Sequence, residues 1–202
     1  VTTPSPLPRI YLIRHGETEW ARLGRHTSET DIPLLPCGES DARELGARLQ
    51  GKMFSHVLTS PRLRARRTCE LAGLSAHARV EPDLSEWRYG DYEGKTATEI
   101  AALRPGWSIY RDGCPNGESA EAVTARADRL VSRLRSLTGD VAVFSHGHFL
   151  RILAARWVGW PIAHAHQLLL STASLSILAF NHERADRPII ALWNELGPGS
   201  PR

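Results

Sequence analysis

The tightest constraint on what this chain can fold into is an alternation. Short, wholly apolar runs end abruptly in charged or small residues, and each is followed by a stretch with helical periodicity. Ile10-Tyr11-Leu12-Ile13 is the first such run and gives way at once to Arg14-His15-Gly16, as a strand buried on both faces does where it enters a loop. Ala42, Leu45, Gly46 and Leu49 recur at helical spacing; His56 to Ser60 reads as a second strand, and the segment from Pro61 to about Gly73 as a second helix. Val123, Ala127, Leu130, Val131 and Leu134 mark one face of a further helix with Ser119 as its N-cap, ahead of a strand at Val141 to Phe144. A last helix from about His148 carries Leu150, Leu153, Ala154, Trp157 and Val158 on one stripe, before closing strands near 175–180 and 189–193. Strands alternating with helices predict an α/β fold: a three-layer α/β/α sandwich around a mostly parallel sheet.

The 202 residues, 42% of them apolar, suffice for one sizeable core. The expected organisation is a flexible leader over 1–8 and a single domain over 9–202. An irregular loop-and-short-helix excursion at about 87–117, rich in Gly, Pro and Trp, is expected to lie over the site. No uninterrupted apolar stretch reaches the roughly 18 residues of a membrane span, and Val1 to Pro8 lacks the basic and apolar parts of a signal peptide. Cys37, Cys69 and Cys114 are odd in number and widely spaced, so neither a disulfide framework nor a zinc site is indicated, and a cytoplasmic location is expected. The net charge of +3 comes from scattered residues mixed with 22 acidic ones, which argues against nucleic acid and membrane surfaces as partners. All the basic residues but Lys52 and Lys95 are arginine, so only arginines at particular positions carry weight.

Ligands in open α/β sheets bind beyond the carboxyl ends of strands, which directs attention to the turns that leave them. Three of these carry the chemistry: Arg14-His15-Gly16-Glu17-Thr18, Thr59-Ser60-Pro61-Arg62-Leu63-Arg64, and Ser145-His146-Gly147-His148. If the strands are parallel, two imidazoles and several guanidinium groups converge on one rim. That set suits a phosphoryl group, because arginine recognises phosphate oxygens in pairs and keeps its charge. A neutral imidazole can attack phosphorus through one nitrogen while an acceptor holds the protonated other one.

Arg14-His15-Gly16-Glu17-Thr18 resembles the signature of the histidine phosphatase superfamily, the phosphoglycerate mutase-like family. Three further stretches resemble its later motifs in order: Thr59-Ser60-Pro61 with Arg64-Ala65 and Thr68, Leu84-Ser85-Glu86 with Gly90-Asp91-Tyr92-Glu93-Gly94, and Ser145-His146-Gly147. The resemblance implies the phosphoglycerate mutase-like fold and a phosphatase that needs neither cofactor nor metal. It makes His15 the phosphorylated nucleophile, with Arg14, Arg64 and His146 holding phosphate. Glu86 becomes the proton donor to the leaving oxygen and then the base for water, which implies a raised pKa for Glu86 or an acidic optimum; a structural carboxylate bonded to nearby amides is the alternative. Within the family the chain is similar to small acid phosphatases and sugar-phosphate phosphatases such as sedoheptulose bisphosphatases. Many members place Asn after the tryptophan of the first motif, where Ala21 stands here, and the excursion is short for a mutase; hydrolysis is favoured over mutase transfer or a non-catalytic phosphate-binding module.

The expected partner is a small phosphorylated substrate. Thr27, Arg25, His26, His148 and Ser174 are candidate substrate contacts, with surface or supporting roles as the alternative. Arg62, Arg66 and Arg67 fit a solvated helix face, and the His164/His166 pair lacks a third ligand for a metal. Trp87, Trp107, Tyr110 and Trp160 fit core packing, a site or an interface, and a homodimer is a candidate assembly.

Overall fold

The apolar runs build the centre of a six-stranded sheet with the order β3-β2-β4-β1-β5-β6 in the computed structural model, which describes residues 7–184 and 186–197. The strands are β1 (Ile10–Arg14), β2 (His56–Thr59), β3 (Ala78–Val80), β4 (Val141–Ser145), β5 (Leu175–Phe180) and β6 (Pro188–Glu195). Pairings among β3, β2, β4 and β1 are parallel, whereas β5 runs antiparallel to β1 and β6 antiparallel to β5. The helices are α1 (Glu19–Arg22), α2 (Pro36–Leu49), α3 (Leu63–Leu71), α4 (Ala97–Leu103), α5 (Ile109–Asp112), α6 (Ala120–Arg135) and α7 (Gly147–Trp157).

Side chains alternate across the sheet and so serve two cores. Ile10, Leu12, Val141 and Val143 join Val123, Leu130 and Leu134 of α6 and Phe149 and Leu153 of α7. Tyr11, Ile13, Ala142 and Phe144 face the opposite way, onto Leu45 and Leu49 of α2, Cys69 of α3 and Ala72, which caps the end of α3. This is the three-layer arrangement that continuous apolar strands require, because neither sheet face can be left to water.

The strand-to-helix turns come together because β1, β4 and β2 are neighbours in register: Arg14 pairs with Ser145, and Thr59 with Phe144. His15 N donates to Ser145 O at 3.0 Å and Ser60 N to Phe144 O at 2.9 Å, extending the ladder past the strand ends. The 87–117 excursion holds α4, α5 and a single 3₁₀ turn at Gly90–Tyr92. Trp87 is fully buried and Trp107 and Tyr110 pack on the first core, while Trp160 is exposed. Of the leader expected over 1–8, residues 1–6 lie outside the described residues, and Pro8 is buried. Strand β3 was not anticipated; it is a three-residue edge strand whose Arg79 and Val80 are exposed, so it has no apolar run to betray it.

Candidate active site

His15 stands at the end of β1, only 5% exposed. Its Nδ1 lies 2.8 Å from Gly16 O. A carbonyl can only accept, so Nδ1 carries the proton and the lone pair sits on Nε2. Burial, then the positive charges of Arg64 and Arg14, hold the His15 pKa well below 6.5 despite the Gly16 carbonyl. The ring is therefore neutral at ordinary pH, the form that can act as a nucleophile.

Gly16 is required by packing. A Cβ there would lie 2.4 Å from Gly38 O, and one on Gly38 would meet Glu17 N and O at 2.4 Å. The first turn of α2 therefore presses directly against the loop that carries His15. Gly16 N also donates to Thr68 Oγ1 (2.9 Å), which in turn donates to Arg64 O (2.7 Å), tying this loop to α3.

The cationic groups are placed with similar care. Arg14 Nη1 donates to Leu170 O (2.6 Å), and its guanidinium lies over Gly147, where a Cβ would come within 3.3 Å of Arg14 Cζ. Arg64 is fully buried and is held by three carbonyls, Thr30 O (3.1 Å), Thr27 O (3.0 Å) and Ser28 O (3.2 Å). That carbonyl loop is fixed by Glu93, whose carboxylate accepts from Ser28 N, Ser28 Oγ and Thr30 N. Glu93 thus supports the arginine from behind. His146 is fully buried, with Nε2 2.7 Å from Ser60 Oγ and its ring centroid 5.3 Å from that of His15. Burial and the charge of Arg64 keep it neutral as well. Arg14 Nε, Arg64 Nε and His146 Nδ1 are buried with no protein partner among the described residues. Such atoms are costly unless a ligand engages them, and an oxyanion would do so.

Glu86 is 7% exposed and its carboxylate is held by backbone alone. Trp87 N (2.9 Å) and Phe149 N (2.8 Å) donate to Oε1, and His148 N (3.0 Å) to Oε2. Two of these amides belong to the first turn of α7, where a helix leaves its N–H groups free and favours negative charge.

One cavity of about 170 Å³ unites much of this set: Arg14, His15, Ala21, Arg25, His26, Thr27, Glu86, Tyr89, His148 and Arg151 line it. His26 and His148 stack at 5.7 Å within it, and Tyr89 Oη lies 2.7 Å from His148 Nδ1. Arg25 is partly committed elsewhere, to Gly94 O and Glu99. Ser174 does not join them. It is fully buried and donates to Ser171 O (2.7 Å); its neighbour Ala173 N instead bonds to Arg14 O and His15 O, bracing the end of β1. Arg66 is exposed and Arg67 pairs with Glu39, as a solvated face requires, whereas Arg62 reaches Glu29 O. Sequence reasoning missed Tyr89 and Arg151. Arg151 lies one helical turn beyond His148, a spacing that places both on one side of α7; Tyr89 sits in the irregular excursion, where no periodicity marks it.

Arg64 and His146 are not among the residues that line this cavity, but the facing rings of His15 and His146, the unpartnered buried Nε atoms of Arg14 and Arg64 and the amide-held Glu86 together make a phosphoryl-handling arrangement, and comparison with known proteins agrees. The sequence pattern described as histidine phosphatase superfamily (branch 1) matches residues 10–195. The chain belongs to the histidine phosphatase superfamily. A Mycobacterium tuberculosis acid phosphatase is 42% identical over 94% of this chain and 95% of its own length. The Saccharomyces cerevisiae sedoheptulose 1,7-bisphosphatase is 39% identical over 77% of this chain and 69% of its own. A solved structure of a Mycobacterium tuberculosis open reading frame product superposes with a TM-score of 0.86 at 38% identity, over 93% of this chain and 97% of that one. This histidine phosphatase therefore has the phosphoglycerate mutase-like α/β fold and the hydrolase chemistry of its family. Among the described residues no helix is long and apolar enough to cross a membrane, and no three His, Cys, Asp or Glu side chains group as metal ligands.

Proposed function

We propose that this protein hydrolyses small phosphomonoesters through a phosphohistidine at His15. The observation that carries the reading is the His15 tautomer: Nδ1 is spent on Gly16 O, which leaves Nε2 unprotonated in a cavity shared with Arg14 and Glu86. His15 Nε2 attacks phosphorus in line as the bond to the leaving oxygen breaks, and Glu86 gives that oxygen its proton. Arg14, Arg64 and His146 carry the charge on the equatorial oxygens, so the step uses no metal. A water then attacks the phosphohistidine, Glu86 takes its proton, and inorganic phosphate leaves with His15 restored.

Ala21 lines the cavity with a methyl group, which offers the phosphate no hydrogen bond and supports hydrolysis over transfer to a second bound hydroxyl. The free thiols of Cys37, Cys69 and Cys114 fit a reducing cytoplasm. The test is release of p-nitrophenol from p-nitrophenyl phosphate in the presence of a chelator. Turnover by the parent and its loss, by roughly 10³-fold or more, in His15→Ala are expected. Turnover that needs a metal, or that survives the substitution, would contradict the reading.

A further inference from the structure

We infer that Arg126 is a positioning residue for the proton-transfer step: its guanidinium fixes the backbone that carries Glu86, and with it the direction in which that carboxyl meets the leaving oxygen. The inference rests on the phosphatase reading and adds a residue that acts on the reaction without lining the cavity of His15.

Glu86 stands on main chain that no regular element holds. It follows a 3₁₀ turn at Pro82–Leu84, and residues 85–89 lie in neither strand nor helix. The amides of Trp87, His148 and Phe149 hold its carboxylate, which leaves the chain behind it to be anchored separately. Arg126 of α6 supplies that anchor. Its Nη1 donates to Asp83 O (2.8 Å) and Ser85 O (2.7 Å), and its Nη2 to Glu86 O (3.4 Å). The remaining N–H groups close on Glu118, Nε on Oε1 (2.9 Å) and Nη2 on Oε2 (2.7 Å). All five N–H groups of the guanidinium are thereby engaged, in a planar fork that lysine cannot reproduce.

Glu118 carries the clamp past Glu86. Its Oε2 accepts from Arg88 N (2.9 Å), its N donates to Arg88 O (2.8 Å) and its O accepts from Trp87 Nε1 (3.0 Å). The chain is thus gripped on both sides of the carboxylate. The same guanidinium lies 4.3 Å from the ring centroid of Phe149, whose N–H donates to Glu86 Oε1. One rigid plane therefore touches both the segment that brings Glu86 to the site and the turn of α7 that receives it. Arg126 is only 8% exposed, a burial that a charge tolerates when every donor is met. Arg129 and Arg133, further along α6, are exposed and meet the side chains of Asp83 and Glu81 instead. A carboxyl that gives a proton and later takes one at the same place depends on such fixed orientation.

The experiment compares kcat/KM for phenyl phosphate and p-nitrophenyl phosphate in the parent, Arg126→Lys and Arg126→Gln. The two esters match in shape, but phenol leaves with a proton and p-nitrophenol needs none, so their ratio reads the proton transfer by Glu86. That ratio does not depend on how much of a preparation is folded, and a merely structural role leaves it unchanged. Arg126→Lys keeps the charge beside Glu118 and loses the fork; Arg126→Gln loses both. The variants are expected to lose roughly ten-fold or more on phenyl phosphate and less than about three-fold on p-nitrophenyl phosphate. Added to Glu86→Gln, Arg126→Lys is expected to move the ratio no further, because the group it positions is gone. Should Arg126→Gln fail to fold, Arg126→Lys decides alone. An unchanged ratio, or one that moves again in the Glu86→Gln background, overturns the positioning role and leaves the phosphatase reading standing. A parent that turns over p-nitrophenyl phosphate alone has no proton transfer to position, which overturns the role too; a parent inert on both esters overturns the phosphatase reading with it.

Discussion

Each residue around His15 has its freedom removed by a particular neighbour. Glu86 accepts from backbone amides through both of its oxygens. Glu86→Gln keeps the size but cannot give or take the proton, and its NH2 leaves at least one of those amides without an acceptor. It is expected to lower kcat/KM, which reports the steps up to departure of the alcohol, by roughly 10²-fold or more for glycerol 3-phosphate, whose alkoxide must be protonated, and by less for p-nitrophenyl phosphate, whose leaving group needs no proton. Equal losses on both esters would remove Glu86 from the leaving-group step. At this scale the sequence was legible where chemistry and a strand end coincide: Arg14, His15, Arg64 and His146 stand together as their turns implied. The Ser174 hydroxyl closes its own turn on Ser171 O, which leaves only its backbone for the contact the sequence suggested. Arg151 was overlooked although its spacing from His148 was readable.

Between elements, the contact that most directly controls the site is the glycine pair Gly16 and Gly38, where α2 meets the His15 loop without side chains between them. Gly38→Ala would place a methyl 2.4 Å from Glu17 N and O, so either α2 or the loop must move. The expected result is a loss of roughly 1 to 3 kcal/mol in stability, read from urea unfolding, together with a lower kcat because His15 moves with its loop. Unchanged stability and kcat would show that the loop and helix are not coupled. Element by element, the chain was readable where burial imposes a pattern: β1 and β4 are continuous apolar runs, and α6 and α7 carry unbroken stripes. β3 escaped because an exposed edge strand needs no apolar sequence. The short α1 escaped, and α4 and α5 were expected only as short helices somewhere in the 87–117 excursion, because four to seven residues are too few for periodicity to rise above chance, although Thr96 and Glu99 form a capping box at α4.

For the whole molecule, the buried histidines set an acid limit on stability. Burial lowers the pKa of His15, His146 and His148 well below 6.5, and that of His26 in the same direction. Below pH 6.5 the unfolded chain binds protons that the folded protein refuses, so stability present above that pH is lost as pH falls toward the folded-state pKa values. His15 and His146, both nearly inaccessible, each contribute a slope of up to about 1.4 kcal/mol per pH unit in that window. The urea midpoint is expected to drop between pH 7.5 and pH 5.5, and a constant or rising midpoint would mean that these rings are charged in the fold. An acidic activity optimum, if present, is therefore bounded below by unfolding.

The central claim is that the phosphoryl group passes through His15. It is tested most directly by quenching the protein during turnover with chelator present and locating the bound phosphoryl group by mass spectrometry under alkaline conditions that preserve phosphohistidine. The expected result is one phosphoryl group on the peptide that contains His15, absent from His15→Ala. Turnover with no such adduct under conditions that would retain it, or an adduct on another residue, would contradict the account.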